Sequence, residues 1–170
     1  MEGELRREKI IELLNHSSNP VSGSELAKLM GVSRQVVVQD IALLRAVNKN
    51  ILSTNKGYVL YNPGESKSVR RAISVHHTDE EMQDELYTIV DCGGKVLDVV
   101  VEHDVYGQIN CDLILKNRQD VDEFMEKIRN RKSQSLMTLT AGKHFHTIEA
   151  DNEQILHTIA EKLRNRGYMD

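Results

Sequence analysis

Tryptophan is absent from this 170-residue chain, and proline and cysteine occur only twice each. The two thiols, Cys92 and Cys111, form no Cys-x-x-Cys pair, which argues against a disulfide framework or a thiolate zinc site and leaves them as buried or inert groups. Apolar runs extend only a few residues, far below the roughly 20 needed to cross a bilayer, so no membrane partner is expected. The stretch Met1–Glu12 is charged throughout, which predicts no secretory signal and a cytoplasmic location. The chain is nonetheless 39% hydrophobic, enough for packed cores.

Cationic charge is also short overall, with a net charge of −4, but it is unevenly spread. Residues 1–62 carry eight Lys/Arg against six Asp/Glu, whereas the remainder carries 14 against 20. An N-terminal module that meets phosphates and a C-terminal module that does not would have this asymmetry.

Leu5, Ile10, Leu13 and Leu14 recur at helical spacing over 4–15, and a polar stretch ending at Pro20 breaks the pattern. Ser22 and Glu25 have the spacing of a capping box opening a short second helix to Met30. Gly31 can take the left-handed conformation that ends it, and Ser33 can cap a third helix from Arg34 to about Asn48. Helix, tight glycine turn and longer helix form a helix-turn-helix pattern. The β-prone segments Ile51–Thr54 and Tyr58–Tyr61, joined by Asn55, Lys56 and Gly57, add a wing. The division expected is therefore 1–62 as a winged helix-turn-helix, 63–68 as a linker rich in turn formers, and 69–170 as a second domain.

That second domain alternates strand and helix signals. Strands are expected at Ala72–His76, Val96–Val101 and Ile109–Leu115, and a hairpin of Leu136–Thr140 with Phe145–Ile148. Helices are expected after capping residues at Thr78, Asp120 and Asp151, ending near Val90, Arg131 and Arg166. Two β-α-β-like halves on one sheet, with helices over one face, make an α+β fold, an α/β sandwich.

On the third helix, Val37, Ile41 and Leu44 form the apolar stripe, which puts Gln35 and Gln39 on the opposite face one turn apart. Glutamine can pair bidentately with adenine in the major groove, and Ser33, Arg34, Arg45 and the wing residue Lys56 are placed for phosphates. Of the seven histidines, five stand out in the second domain: His76, His77, His103, His144 and His146. His144 and His146 leave the same face of a strand. His77 ends a strand before a helix in which Glu85, two turns in, can face back over the sheet. Imidazoles with a carboxylate suit zinc, nickel or iron, although core or solvated histidines would share these positions.

Taken together, Ser33-Arg34-Gln35, Asp40-Ile41, Ile51, Gly57-Tyr58, His76-His77-Thr78-Asp79 and Lys143-His144-Phe145-His146 resemble the niacin-responsive repressors of bacterial NAD metabolism, over nearly the whole chain. The resemblance implies a winged helix-turn-helix joined to a three-histidine domain. It also implies repression of genes of NAD synthesis or niacin uptake when nicotinic acid is available, and a homodimer on palindromic double-stranded operator DNA. One divalent transition metal per chain, nickel or zinc, would be held by His77, Glu85, His144 and His146. His76 is the alternative to His77, because strand neighbours point to opposite faces. The segment His103–Gly107 departs from the family in lacking a proline after the histidine, and the effector-contacting residues stay unassigned. Two other functions fit such a site: a repressor that senses the metal itself, and a metal-dependent hydrolase or oxygenase. No Ser or Cys nucleophile with a base accompanies the histidines, and Glu80, Glu81 or Glu149 as a general base is no more than any surface offers, so no enzymatic activity is expected.

Overall fold

Three helices and a hairpin build the N-terminal unit, Met1–Glu65, in the computed structural model, which describes residues 2–47, 50–61, 67–130 and 134–170. The expected helix ends at Asn48 and Arg131 and residues 62–66 around the expected linker lie outside the described residues. Helices α1 (Gly3–His16), α2 (Gly23–Met30) and α3 (Arg34–Val47) precede strands β1 (Ile51–Thr54) and β2 (Gly57–Leu60). The Ser22 hydroxyl accepts from the Glu25 N–H at the start of α2. Gly31 ends that helix at φ 66°, its N–H on the Ala27 and Lys28 carbonyls, and the Ser33 hydroxyl accepts from Val36 to begin α3. These caps set the tight turn of a helix-turn-helix. Ile10, Leu14, Leu26, Val37, Ile41 and Ile51 close one core, each removed from water at roughly 1.5–3 kcal/mol. The wing is tied to the segment before α2 by paired Val21 and Tyr58 backbone bonds of 2.8 Å.

The C-terminal unit, Ser66–Asp170, contains β3 (Val69–His76), α4 (Met82–Asp91), β4 (Lys95–His103), β5 (Gly107–Leu115), α5 (Arg118–Asn130), β6 (Lys143–Ala150) and α6 (Glu153–Asn165). Its four strands pair antiparallel in the order β3-β6-β4-β5. All three helices pack on one face: Leu86, Ile89, Val121, Met125, Leu156, Ile159 and Leu163 meet Ile73, Val75, Val96, Leu115 and Ile148 in a single core. An α+β sandwich results.

Several boundaries differ from expectation. Leu136–Thr140 is a 3₁₀ helix rather than a hairpin strand. Both edges of β6 are already bonded, to β3 and to β4, so the β-prone segment has no partner to pair with. Glu81 accepts from the Thr78 N–H, but that bond closes a turn and α4 begins only at Met82. Asn117 caps α5 by accepting from Asp120, and Asn152, not Asp151, caps α6 by accepting from Ile155. For α5 and α6 a polar residue nearby in sequence had the better geometry, whereas α4 starts without a side-chain cap.

Candidate functional site

Strand pairing settles which histidines converge. In the β3–β6 register Val75 faces His144 and Ile73 faces His146, so both imidazoles share the helix-covered face with the core. His76 pairs with Lys143 on the opposite face and is exposed. His77, one residue on, is buried beside His144, with ring centroids 4.8 Å apart and the planes at 88°. His144 and His146 are likewise 4.8 Å apart at 85°. From α4, Glu85 enters the cluster with no solvent exposure, its Oε2 3.7 Å from the Nε2 atoms of both His77 and His146. His103 is held within the β4–β5 hairpin, its Nδ1 accepting from the Val105 and Tyr106 N–H groups.

The tautomers follow from the partners. The Nδ1–H groups of His77, His144 and His146 donate to the carbonyls of Thr78, Gly142 and Asp98, at 2.9, 2.9 and 2.6 Å. A carbonyl only accepts, so each Nδ1 carries the proton and each Nε2 keeps a lone pair. Burial lowers all three imidazole pKa values, His144 to about 3 and His146 to about 4, so neither is cationic at neutral pH. The Nε2 atoms of His144 and His146 nevertheless stand 3.1 Å apart, lone pair to lone pair, with no proton to share. His77 Nε2 and both Glu85 oxygens are buried without a hydrogen-bond partner. Burial, with the neighbouring Asp84 charge, pushes Glu85 up to about 8.

Gly142 makes the close approach possible. At φ 90° it lies against His77, where an added Cβ would be 2.5 Å from the His77 carbonyl oxygen. Among the described residues, no group of three or more His, Cys, Asp or Glu side chains meets metal-site geometry as it stands. The donor chemistry fits a divalent transition metal all the same. Two nitrogens each about 2.1 Å from one ion lie roughly 3.0–3.4 Å apart, and imidazoles whose second nitrogen donates to a carbonyl are the usual ligands. A buried carboxyl and three imidazole lone pairs without donors are what such an ion would satisfy.

Beside the cluster lies an apolar cavity of about 180 Å³ whose wall includes His144, His146, Val99, Cys111, Leu113 and Phe124. Sequence reasoning missed this cavity because its walls come from β4, β5, β6, α4, α5 and the 3₁₀ helix. It also missed Tyr168, whose ring packs edge-on to His77 at 5.8 Å.

In the N-terminal unit Gln35 and Gln39 are exposed on α3, opposite buried Val37, Ile41 and Leu44. Arg34 and Arg45 are exposed on the same helix, and Lys56 is half-buried in the wing turn. Ser33 is exposed, but its hydroxyl is engaged in capping. Asp40, also on α3, is buried and accepts from Arg6 at 2.5 Å, with Arg7 at 3.4 Å. Two N-terminal cations are thus spent on fixing α1 to α3.

Residues 6–59 match a helix-turn-helix (HTH) domain model, and residues 70–169 match the 3H domain. Over 96% of this chain and 93% of the relative's length, the sequence is 41% identical to the "Probable transcription repressor NiaR" of Thermotoga maritima. This chain belongs to the 3H-domain transcription repressors. Its likeness to the "Transcription repressor NadR" of Bacillus subtilis is 37% over 98% of this chain and 94% of that protein. Both 3H-domain relatives are named as repressors, not as enzymes. Among the described residues, no helix is long and apolar enough to cross a membrane.

Proposed function

We propose that this repressor binds operator DNA upstream of genes for NAD synthesis or niacin uptake, and that nicotinic acid controls it through a metal-containing C-terminal unit. The observation that carries the reading is the pair of facing Nε2 lone pairs at 3.1 Å beside an orphaned, fully buried Glu85. His77, Glu85, His144 and His146 would hold one divalent ion, nickel or zinc, which would supply positive charge and an open position for a carboxylate or ring nitrogen. The adjoining apolar cavity would take a flat ring, which favours an organic effector over a site that senses the ion alone. The names of the relatives, NiaR and NadR, support the link to niacin and NAD.

On the DNA side, Gln35 and Gln39 would read base edges while Ser33, Arg34, Arg45 and Lys56 contact phosphates. One recognition helix covers one half-site, so a homodimer would place two about 34 Å apart on a palindrome. Effector binding would select the dimer geometry that fits this spacing.

Operator affinity measured by fluorescence anisotropy, with and without Ni²⁺ and with and without nicotinic acid, tests the reading. Tight binding should require both. Nicotinate-dependent binding that survives chelation would remove the metal from the mechanism, and metal-dependent binding indifferent to nicotinate would make the ion itself the signal.

A further inference from the structure

We infer that Tyr168, which follows α6, is a positioning residue for the metal centre, holding His77 and the Glu85 helix in register with each other. The inference rests on the metal reading of the cluster. After α6 the chain turns at Gly167 and runs back along the end of β3, where the Tyr168 carbonyl accepts from the His76 N–H at 2.9 Å and the Tyr168 N–H donates to Leu163. The backbone immediately before His77 is therefore fixed by the C-terminal segment. The side chain, only 7% exposed, sets its ring edge-on to His77 at 5.8 Å and 72°.

The Tyr168 hydroxyl continues past the ring and donates to Asp84 Oδ2 at 2.8 Å, and Asp84 also accepts from Arg166. Asp84 directly precedes Glu85. One side chain thus touches both segments that bring ligands to the cluster from outside β6: the residue after β3 and the first turn of α4. His77 needs such support, because the β3–β6 pairing ends at His76–Lys143 and, among the described residues, the His77 ring makes one hydrogen bond, to its neighbour's carbonyl. Packing that blocks rotation of a ligand ring keeps its lone pair aimed at the ion, and supporting contacts of this kind change metal affinity by about 10–100-fold.

Titration of the full-length protein with Co²⁺, following uptake by competition with a chelator and coordination by the visible absorption bands, tests the assignment. Tyr168→Phe, which loses only the bond to Asp84, should weaken Co²⁺ about 10-fold and shift the bands; Tyr168→Leu, which also loses the ring, should weaken it about 100-fold. The comparison variant is Tyr87→Phe, which removes a hydroxyl bond to Asp122 from the same helix but not near His77. It should lower the melting temperature without changing Co²⁺ affinity or spectrum. Wild-type affinity and spectrum in both Tyr168 variants would overturn the assignment, as would losses in all three variants that follow their loss of stability. A wild-type protein that takes up no Co²⁺, Ni²⁺ or Zn²⁺ would remove the metal reading itself and this inference with it.

Discussion

Glu85→Gln should stabilise the metal-free C-terminal unit and destabilise the metal-loaded one. In the metal-free fold the Glu85 carboxyl is fully buried without a hydrogen-bond donor and holds its proton up to about pH 8, against an ordinary value of 4.5. Between those two pH values the folded state binds a proton that the unfolded state has released, so stability falls as pH rises through the window and the penalty is complete above pH 8. The full gap corresponds to at most roughly 5 kcal/mol, and relaxation with water entry brings the effect to about 2–3 kcal/mol. Glutamine has nearly the same shape, carries no charge to desolvate, and its amide can donate to a vacant Nε2 of His77 or His146. With metal bound the order reverses, because the carboxylate is then a ligand, and mass-action stabilisation, about 2.7 kcal/mol at a hundredfold excess over Kd, is lost with affinity. Calorimetric unfolding of both proteins at pH 6, 7 and 8, in chelator and in Ni²⁺, reads each term. If chelated Glu85→Gln proves no more stable than wild type at pH 8, or its advantage fails to grow from pH 6 to 8, the account of Glu85 as a carboxylate held for a cation is refuted.

The neutral imidazoles set the acid limit: His144 and His146 keep pKa values of about 3 and 4 when folded against 6.5 for the free side chain, so their contribution to metal-free stability is fully present above pH 6.5 and is lost as pH falls from there toward 3. Denaturation midpoints of wild type and His144→Ala over pH 4–7 check this, and the variant should show the shallower slope. Gly142→Ala places a methyl group against the His77 carbonyl at a positive φ, and should cost about 1–3 kcal/mol of stability while weakening Ni²⁺ uptake; a wild-type melting curve and affinity would contradict the close-approach argument. On operator DNA, Gln39→Ala should lose about 1–3 kcal/mol at one base pair with its melting temperature unchanged, whereas Lys56→Ala should weaken all sequences alike and reduce the salt slope by about 1. Anisotropy titrations at several salt concentrations separate the two.

The DNA-binding unit was readable because its signals are local. Ser22, Gly31 and Ser33 act within three or four residues of themselves, and the 3.6-residue period puts Val37, Ile41 and Leu44 inside and Gln35 and Gln39 outside without reference to the rest of the chain. The buried Asp40 clasp with Arg6 was not readable, since its partner lies 34 residues away and an isolated aspartate on a helix looks like solvated surface. The failed hairpin has the same origin: Leu136–Thr140 has strand composition, but strand formation needs a free edge and β6 has none.

For the candidate site, sequence alone determined that His144 and His146 leave the same face of a strand, because two-residue alternation is a property of the extended backbone itself. Tertiary structure decided the rest. The β3–β6 register buries His77 and sends His76 to the other face. The carbonyls of Gly142 and Asp98 orient the His144 and His146 lone pairs. Tyr168 reaches His77 from α6's far side in sequence, and the apolar cavity forms where five helices and strands and a 3₁₀ turn meet. Except for the Gly142–His144 bond, these contacts join residues tens of positions apart. Such pairings depend on how whole elements pack, and no local preference of the chain encodes them.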